Sequence, residues 1–274
     1  MISSLSIVLP MYNERENIEL AASEAVRVGH LMAPELEVIV VDDASTDGSG
    51  ALVDTMAAQW PELRVVRHPI NRKLGGALKT GFAAATKEWI LYIDSDLPIR
   101  MDDARQAIPL AEDADIVIGW RKSRAESLRR EFMSWVYNRL IRVLFKLRVK
   151  DVNFAFKLFR RSFLDRIILT SEGSFIDAEL LLEMKREGAL LAEMGMDYYP
   201  RAAGVSTLAS GGVVLKILRE MIRYRREAYG RTSDNFGGQR RRLWAERGDQ
   251  PGDRVGVSDG DTPQREPHAE RKGV

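Results

Sequence analysis

The chain has no cysteine and only three histidines among its 274 residues. The absence of cysteine excludes disulfides, thiolate metal sites and a cysteine nucleophile, and it fits a reducing compartment. The histidines, His30, His68 and His268, are scattered along the sequence, which argues against a histidine-based zinc site. We therefore expect a cytoplasmic protein without disulfides or a zinc centre of this kind.

Long apolar runs and an excess of one charge sign are also missing. No apolar segment reaches the roughly 18–20 residues that a membrane-spanning helix needs, so we expect a protein that is soluble or lies on a membrane surface. Lys and Arg total 41 and Asp and Glu total 40, which gives a net charge of +1. Because no global positive field exists, nucleic acid is not an expected partner, and any basic patch must be local.

The first 120 residues alternate short apolar segments with segments of helical periodicity. Predicted strands cover Leu5–Leu9, Glu37–Val41, Arg64–Arg67, Trp89–Ile93 and Asp115–Gly119. Predicted helices cover Arg15–Val28, Ser49–Gln59, Gly76–Ala85 and Asp102–Glu112. Unbroken strands of Val, Ile and Leu between helices predict an α/β fold, in which a mostly parallel, Rossmann-like sheet carries helices on both faces. Such sheets bind ligands beyond the carboxyl ends of their strands.

Two later segments, residues 127–149 and 211–230, combine apolar residues at helical spacing with many arginines and lysines. This combination is typical of helices in a membrane interface, although packing on the sheet or on a partner subunit explains the apolar faces as well. Residues 231–274 lack apolar periodicity, so we predict a domain over residues 1–230 followed by a disordered tail. Between the amphipathic segments, the sequence predicts an extended stretch, a helix and a strand at Val152–Phe159, Ile176–Glu187 and Leu190–Tyr198.

The fourth predicted strand runs directly into two aspartates, in the sequence WILYIDSD. Asp94 and Asp96 are separated by one residue, so an extended backbone projects both to one side. Two carboxylates about 6 Å apart repel by about 3 kcal/mol at an effective dielectric constant of about 20. A divalent cation relieves this repulsion, and Mg²⁺ typically joins one or two carboxylates to substrate phosphates. A solvated turn in which Asp96 caps the following residues is the alternative explanation of the pair.

Polar and charged side chains follow the other strands too. They are Pro10, Tyr12, Asn13 and Glu14 after the first strand, Asp42 and Asp43 after the second, and Arg121, Lys122 and Arg124 after the fifth. Because the carboxyl ends of parallel strands share one edge of the sheet, we expect all these groups to line one crevice. That crevice would offer acids to a metal, a nucleobase or a ribose, and cations to phosphate.

With these residues in this order, the sequence resembles the inverting glycosyltransferases of family 2, which have the GT-A fold. Within the family it is most similar to the dolichyl- and polyprenyl-phosphate sugar synthases, the group that includes dolichol-phosphate mannose synthase. The resemblance implies transfer of a hexose from a nucleotide sugar, of the GDP-mannose or UDP-glucose type, to a polyprenyl phosphate, with Mg²⁺ or Mn²⁺ as cofactor. The matching segments span about residues 5–210 and are VLPMYNERENI, VVDDASTDGS, NRKLGGALKTGF, YIDSDLP, IGWRKSR, DVNFAFKLFRR, FIDAELLLEMKREG and YYPRAAGVSTL.

The resemblance also assigns roles to individual residues. Asp94, Ser95 and Asp96 would form the Asp-x-Asp motif that binds the donor through its metal, with Asp96 as the most direct metal ligand and a catalytic residue. Arg121 and Arg201 would be catalytic residues that contact phosphates. The nucleotide of the donor would be held by Pro10, Tyr12, Glu14, Val41 and Asp43.

Two positions depart from the family pattern. Pro98 stands where the family often has glutamine, which removes a ligand on the metal side or replaces it with water. Thr207 stands where the family often has lysine after Gly-x-Ser, which removes one phosphate contact. A non-catalytic protein that binds nucleotide sugars is therefore retained as an alternative to the enzyme.

Charge distinguishes two kinds of acceptor. A lipid phosphate is already anionic near neutral pH, so it needs cations such as Arg121 and Arg201 rather than a strong general base. A hydroxyl acceptor on a saccharide or natural product requires a carboxylate base, for which Asp177 and Glu179 are candidates. Both are equally well explained as acids at the start of a helix. For a lipid acceptor, we expect peripheral contact with the cytoplasmic face of the membrane.

Overall fold

The structure, a computed structural model, describes three ranges of the chain, and within them all side chains except those of residues 128–132. The described ranges are residues 1–122, 128–199 and 219–226. The described residues up to Tyr224 belong to one compact unit. The predicted tail, residues 231–274, lies outside the described residues, as does most of the second amphipathic segment.

A seven-stranded sheet forms the centre of the described part of the chain. The strands lie side by side in the order β3-β2-β1-β4-β6-β5-β7. β6 is antiparallel to both of its neighbours, and the other strand pairs are parallel, which confirms the mostly parallel α/β sheet. The strands are β1 (Ser4–Met11), β2 (Glu35–Asp42), β3 (Leu63–Arg67), β4 (Trp89–Ile93), β5 (Ile116–Arg121), β6 (Phe156–Arg160) and β7 (Leu191–Met196).

Helices connect the strands, and one predicted helix is broken. The segment predicted as a helix over Asp102–Glu112 is a 3-10 helix at Met101–Gln106 followed by a single α-helical turn. Pro109 explains the break, because it has no N–H to donate to the carbonyl four residues earlier. The helices are α1 (Ile18–Met32), α2 (Ser49–Ala57), α3 (Lys73–Ala84), α4 (Ala107–Leu110), α5 (Leu128–Phe145) and α6 (Ile176–Arg186), and residues 219–226 are also helical.

Helices cover both faces of the sheet, as predicted. Alternate side chains of β1 point to opposite faces. Ile7 faces α1, where a Cβ added at Gly29 would lie 3.2 Å from its Cδ1. Val8 faces α3, where a Cβ added at Gly81 would lie 2.4 Å from its Cγ1. Gly81 is therefore required for the close approach of α3 to the sheet.

An aromatic cluster joins the C-terminal end of α5 and the residue before α6 to residues 219–226. The rings of Phe145, Phe175 and Tyr224 lie 5.5–6.0 Å apart between centroids. The hydroxyl of Tyr224 donates a hydrogen bond to Glu183 Oε1 at 2.7 Å. The described part of each amphipathic segment thus has an inner face packed on protein. No helix within the described ranges is long and apolar enough to cross a membrane.

Candidate active site

The turn after β1 is fastened to the turn after β2. Asn13 adopts the left-handed conformation, with φ of 56°, and its side-chain oxygen accepts a hydrogen bond from the backbone N–H of Thr46 at 2.8 Å. Glu14 accepts a hydrogen bond from the side-chain amide of Asn17 at 2.7 Å. Tyr12 stays 49% exposed between these contacts. Its ring is thus accessible at the carboxyl edge, the edge of the sheet where β1, β2, β4 and β5 end.

β2 brings three predicted residues to the same edge, but in different ways. Asp42 forms an ion pair with Arg67 at the end of β3, with 3.2 Å between Oδ2 and Nε. Asp43 is buried, and its Oδ1 lies 2.7 Å from Nδ1 of His68. Val41 is fully buried with its side chain toward α3, so only its backbone can contact a nucleotide.

The two aspartates after β4 are held at the carboxyl edge by their neighbours. Tyr92, the penultimate residue of β4, donates a hydrogen bond from its hydroxyl to Asp94 Oδ1 at 3.2 Å. Burial, together with the charges of Asp177 and Asp94, raises the pKa of Tyr92 well above its ordinary value, so the hydroxyl keeps its proton. Ser95 is buried and donates to the carbonyl of Pro10 at 2.6 Å. Ser95 therefore ties the Asp-x-Asp turn to β1.

The donors at this turn fit a metal ion that is completed by substrate. Within the described part of the chain, no group of three or more His, Asp or Glu side chains is arranged to hold a metal. Asp94 and Asp96 are half-buried and supply carboxylate oxygens. The side chain of Pro98 has no atom that could bind a metal, and its carbonyl accepts a hydrogen bond from Tyr199 N at 2.9 Å. Two carboxylates suit a hard cation whose other ligands are phosphates and water.

Arg121, the last residue of β5, lies at the same edge and has a partner that the sequence analysis did not identify. It donates two hydrogen bonds to Asp151, from Nε to Oδ2 at 2.7 Å and from Nη2 to Oδ1 at 3.2 Å. The guanidinium also lies 5.7 Å from the ring centroid of Phe154 and 5.3 Å from that of Tyr198. A bidentate carboxylate and two rings fix the orientation of this cation.

Asp177, a candidate general base, is buried in an ion pair with Lys157 of β6. Lys157 also donates to the carbonyl of Phe154 at 2.9 Å, and its Nζ lies 5.2 Å from the ring centroid of Tyr92. Burial raises the pKa of Asp177, and the nearby charge of Lys157 opposes this shift. The carboxylate is thus part of a buried network that reaches Asp94 through Tyr92.

Glu179, the other candidate base, is fully buried and holds a loop. One of its oxygens accepts hydrogen bonds from the backbone N–H and the hydroxyl of Thr170, at 2.9 and 2.8 Å. Its other oxygen accepts from the backbone N–H of Ser171 at 2.8 Å. Both oxygens of Glu179 thus accept hydrogen bonds from the loop at Thr170 and Ser171.

Of the remaining predicted cations, the structure describes only Lys122. Lys122 follows β5 and is exposed, with its backbone N–H bonded to Met196 O at 3.0 Å. Arg124, Arg201 and Thr207 lie outside the described residues. The described strand ends therefore carry five acids, Glu14, Asp42, Asp43, Asp94 and Asp96, together with the oriented Arg121.

Solved structures of other proteins share this architecture. Glucosyl-3-phosphoglycerate synthase from Mycobacterium tuberculosis, crystallised with uridine diphosphate, superposes with a TM-score of 0.64 over 81% of this chain and 80% of its own, at 19% identity. The same enzyme with Mn²⁺, uridine diphosphate and phosphoglyceric acid also gives a TM-score of 0.64, at 20% identity, over 81% of this chain and 78% of its own. The sheet order and these similarities define the GT-A fold.

The sequence identifies the family within this fold. The model of the family described as Glycosyl transferase family 2 matches residues 6–168, so the chain belongs to this family and is a glycosyltransferase. Undecaprenyl-phosphate mannosyltransferase from Micrococcus luteus is 28% identical over 220 residues, which are 76% of this chain and 88% of that protein. Polyprenol monophosphomannose synthase from Mycolicibacterium smegmatis is 27% identical over 229 residues, covering 76% and 82%.

Proposed function

We propose that this glycosyltransferase moves a hexose from a nucleotide sugar to a polyprenyl phosphate, with a divalent cation between Asp94, Asp96 and the diphosphate of the donor. The observation that carries the proposal is the convergence of Asp43, Asp94, Asp96 and Arg121 on one edge of the sheet. The names of the relatives from Micrococcus luteus and Mycolicibacterium smegmatis support a polyprenyl phosphate acceptor and mannose as the sugar. The complexes of glucosyl-3-phosphoglycerate synthase with Mn²⁺ and uridine diphosphate support a nucleotide and a metal in this fold.

The donor half of the site would use the residues after β1, β2 and β4. Tyr12 is accessible for contact with the nucleoside, and Asp43 offers a carboxylate to it. Asp94 and Asp96 would bind Mg²⁺ or Mn²⁺, which when bound stabilises the negative charge that develops on the departing diphosphate. The Tyr92 hydrogen bond orients the Asp94 carboxylate, and the Ser95 hydrogen bond fixes the turn that carries both aspartates.

The acceptor half is better suited to a phosphate than to a hydroxyl group. A phosphate nucleophile carries its own negative charge and needs a fixed cation nearby, a role that Arg121 fits through its Asp151 and ring contacts. A hydroxyl acceptor needs an accessible carboxylate base. Asp177 is paired with Lys157 and Glu179 is bonded to a loop, so neither is presented as such a base. The buried acids therefore favour the lipid phosphate.

The outer face of α5 would bring the enzyme to its lipid substrate. This face, here called the α5 outer face, presents Trp135, Arg139, Arg142 and Val143 of α5 and Lys146 directly after it, which are all exposed. Trp135 and Val143 are 59% and 60% exposed. Large apolar groups among cations are typical of interfacial helices. Each basic residue near an anionic leaflet contributes about 1 kcal/mol, so the three cations together strengthen membrane binding about 150-fold.

The test is a transfer assay with the whole chain. Radiolabelled GDP-mannose and UDP-glucose would be incubated in turn with polyprenyl phosphate in mixed micelles and with Mg²⁺ or Mn²⁺, and the lipid fraction counted. We expect label in the lipid with at least one donor, loss of label with chelator, and a loss of at least 100-fold in Asp96→Asn. The matched control is Asp113→Asn, an exposed aspartate before β5 at the opposite edge, which should retain activity. Label on soluble hydroxyl acceptors alone would refute the lipid acceptor.

A further inference from the structure

His68, a histidine outside the predicted site, contacts Asp43, the carboxylate that is expected to bind the nucleotide. His68 follows β3, and its backbone N–H donates to Asp42 O at 2.9 Å, which continues the ladder between β2 and β3 by one residue. Its ring is buried, with Nδ1 2.7 Å from Asp43 Oδ1 and Nε2 2.8 Å from the hydroxyl of Thr80 in α3. Both ring nitrogens of His68 are therefore in hydrogen bonds.

The direction of the bond to Asp43 follows from the chemistry of the partners. An ionised carboxylate can only accept hydrogen bonds, so Nδ1 of His68 carries the proton and donates it. Thr80 can either donate to a neutral ring or accept from a protonated one, because its hydroxyl does both. In each protonation state the ring is held from both sides, and Nδ1–H points at Asp43.

A second donor completes the fixation of Asp43. The backbone N–H of Arg72, just before α3, donates to the same Oδ1 at 2.7 Å. Oδ1 of Asp43 thus accepts two short hydrogen bonds, while no hydrogen bond among the described residues uses Oδ2. A carboxylate fixed through one oxygen presents the other in a single direction, as supporting hydrogen bonds do for other functional groups.

We infer that His68 is a positioning residue for nucleobase selection: with Thr80 behind it, His68 fixes Asp43 so that Oδ2 accepts a ring N–H of the base. Uracil and guanine carry such an N–H beside a carbonyl group, whereas the corresponding ring nitrogens of cytosine and adenine carry no hydrogen and would face the carboxylate as acceptors. The inference rests on the proposed function in one respect, that the donor is a nucleotide sugar. It adds a residue pair that determines which base is accepted.

The experiment measures affinity for nucleoside diphosphates by isothermal titration calorimetry in the presence of Mn²⁺. UDP, GDP, CDP and ADP would be compared with inorganic pyrophosphate, which lacks a base. For wild type we expect UDP or GDP to bind at least tenfold more tightly than CDP and ADP, because a buried carboxylate without a donor is unfavourable. In His68→Ala we expect about tenfold weaker binding of the preferred nucleotide, reduced discrimination between bases, and unchanged pyrophosphate binding.

Two further variants separate positioning from a general effect on folding. In His68→Asn the side-chain amide can replace the Nδ1–H donor, so this variant should recover most of the base discrimination. His30→Ala is the matched control, because His30 is an exposed histidine of α1 whose ring contacts Glu62. Thermal melting of each variant would be recorded, and the KM for the sugar donor should rise in His68→Ala by more than kcat falls.

The outcomes distinguish this inference from the proposed function. If wild type binds and discriminates nucleotides while His68→Ala behaves identically, the inference fails and the proposed function stands. The inference also fails if pyrophosphate binding falls as much as nucleotide binding, or if His68→Asn is as defective as His68→Ala. If wild type binds no nucleoside diphosphate with metal, the proposed function and this inference are both refuted.

Discussion

Removing one partner of the Arg121–Asp151 pair should destabilise the protein strongly. The side chains of Arg121 and Asp151 are 10% and 2% exposed, so the pair is largely removed from water. Loss of one partner from a buried ion pair typically costs 3–5 kcal/mol. Arg121 retains its contacts with the rings of Phe154 and Tyr198 when Asp151 is removed. We therefore expect the lower value, about 3 kcal/mol, for Asp151→Ala.

A double-mutant cycle measures the coupling between the two charges. Arg121→Ala, Asp151→Ala and the double variant would be unfolded in urea without nucleotide, with circular dichroism as the signal. The double variant should cost about 2 kcal/mol less than the sum of the single variants, because neither uncompensated charge is left in it. The matched control is the ion pair between Arg27 and Asp102, whose side chains are 46% and 55% exposed. Arg27→Ala should cost at most about 1 kcal/mol.

The result that would refute this reasoning is additivity. If the two single variants each cost less than about 1 kcal/mol and sum to the double variant, the pair is no more coupled than an exposed ion pair. Arg121 would then not be held in advance of substrate binding. It would then not serve as a fixed cation for the acceptor phosphate.

Three other changes have defined expected outcomes. Burial raises the pKa of Glu37, but hydrogen bonds from Ser6 and Thr86 outweigh burial, so the pKa lies below its ordinary value of 4.5. Glu37 therefore stabilises the fold above about that pH and loses this contribution as the pH falls through the lowered pKa. In urea unfolding, Glu37→Gln should be less stable than wild type at neutral pH, and the two stabilities should converge in acid. Gly81→Ala should cost about 1–3 kcal/mol in the same assay, because the added methyl group collides with Val8. Replacing the three cations of the α5 outer face with glutamine should weaken co-sedimentation with anionic vesicles by about 150-fold and leave unfolding unchanged, and equal sedimentation would contradict a membrane role for this face.

The regular elements of the fold were predictable because their signals are local. β4 has the predicted bounds, Trp89–Ile93, since an unbroken apolar run is followed at once by an aspartate. The grouping of acids at the carboxyl edge followed from the parallel sheet, whose strand ends share one side. The break near Pro109 was a local signal too, but it was outweighed by the helical spacing of the apolar residues around it.

The contacts that orient the site could not be predicted, because each joins residues far apart in sequence. Asp151 lies 30 residues from Arg121 and has no periodic relation to it. Lys157 lies 20 residues from Asp177, and its place in a buried strand gives no sign that its charge is compensated. His68 appeared as an isolated histidine, since its position in the sequence does not reveal that its ring bridges Asp43 and Thr80. These pairs depend on which strands become neighbours.

The reversed direction of β6 also determines which residues can vary around Arg121 in the course of evolution. The residues that follow a parallel strand lie at the carboxyl edge, whereas for the antiparallel β6 the residues at this edge are those that precede it, 151–155. These residues are mostly buried, and Asp151 and Phe154 among them contact Arg121. Substitutions there would alter the contacts of Arg121 while the pairing of β6 with β4 and β5 stayed in register. Evolution can therefore change the surroundings of Arg121 by side-chain substitution alone, without rebuilding the strands that carry the Asp-x-Asp turn.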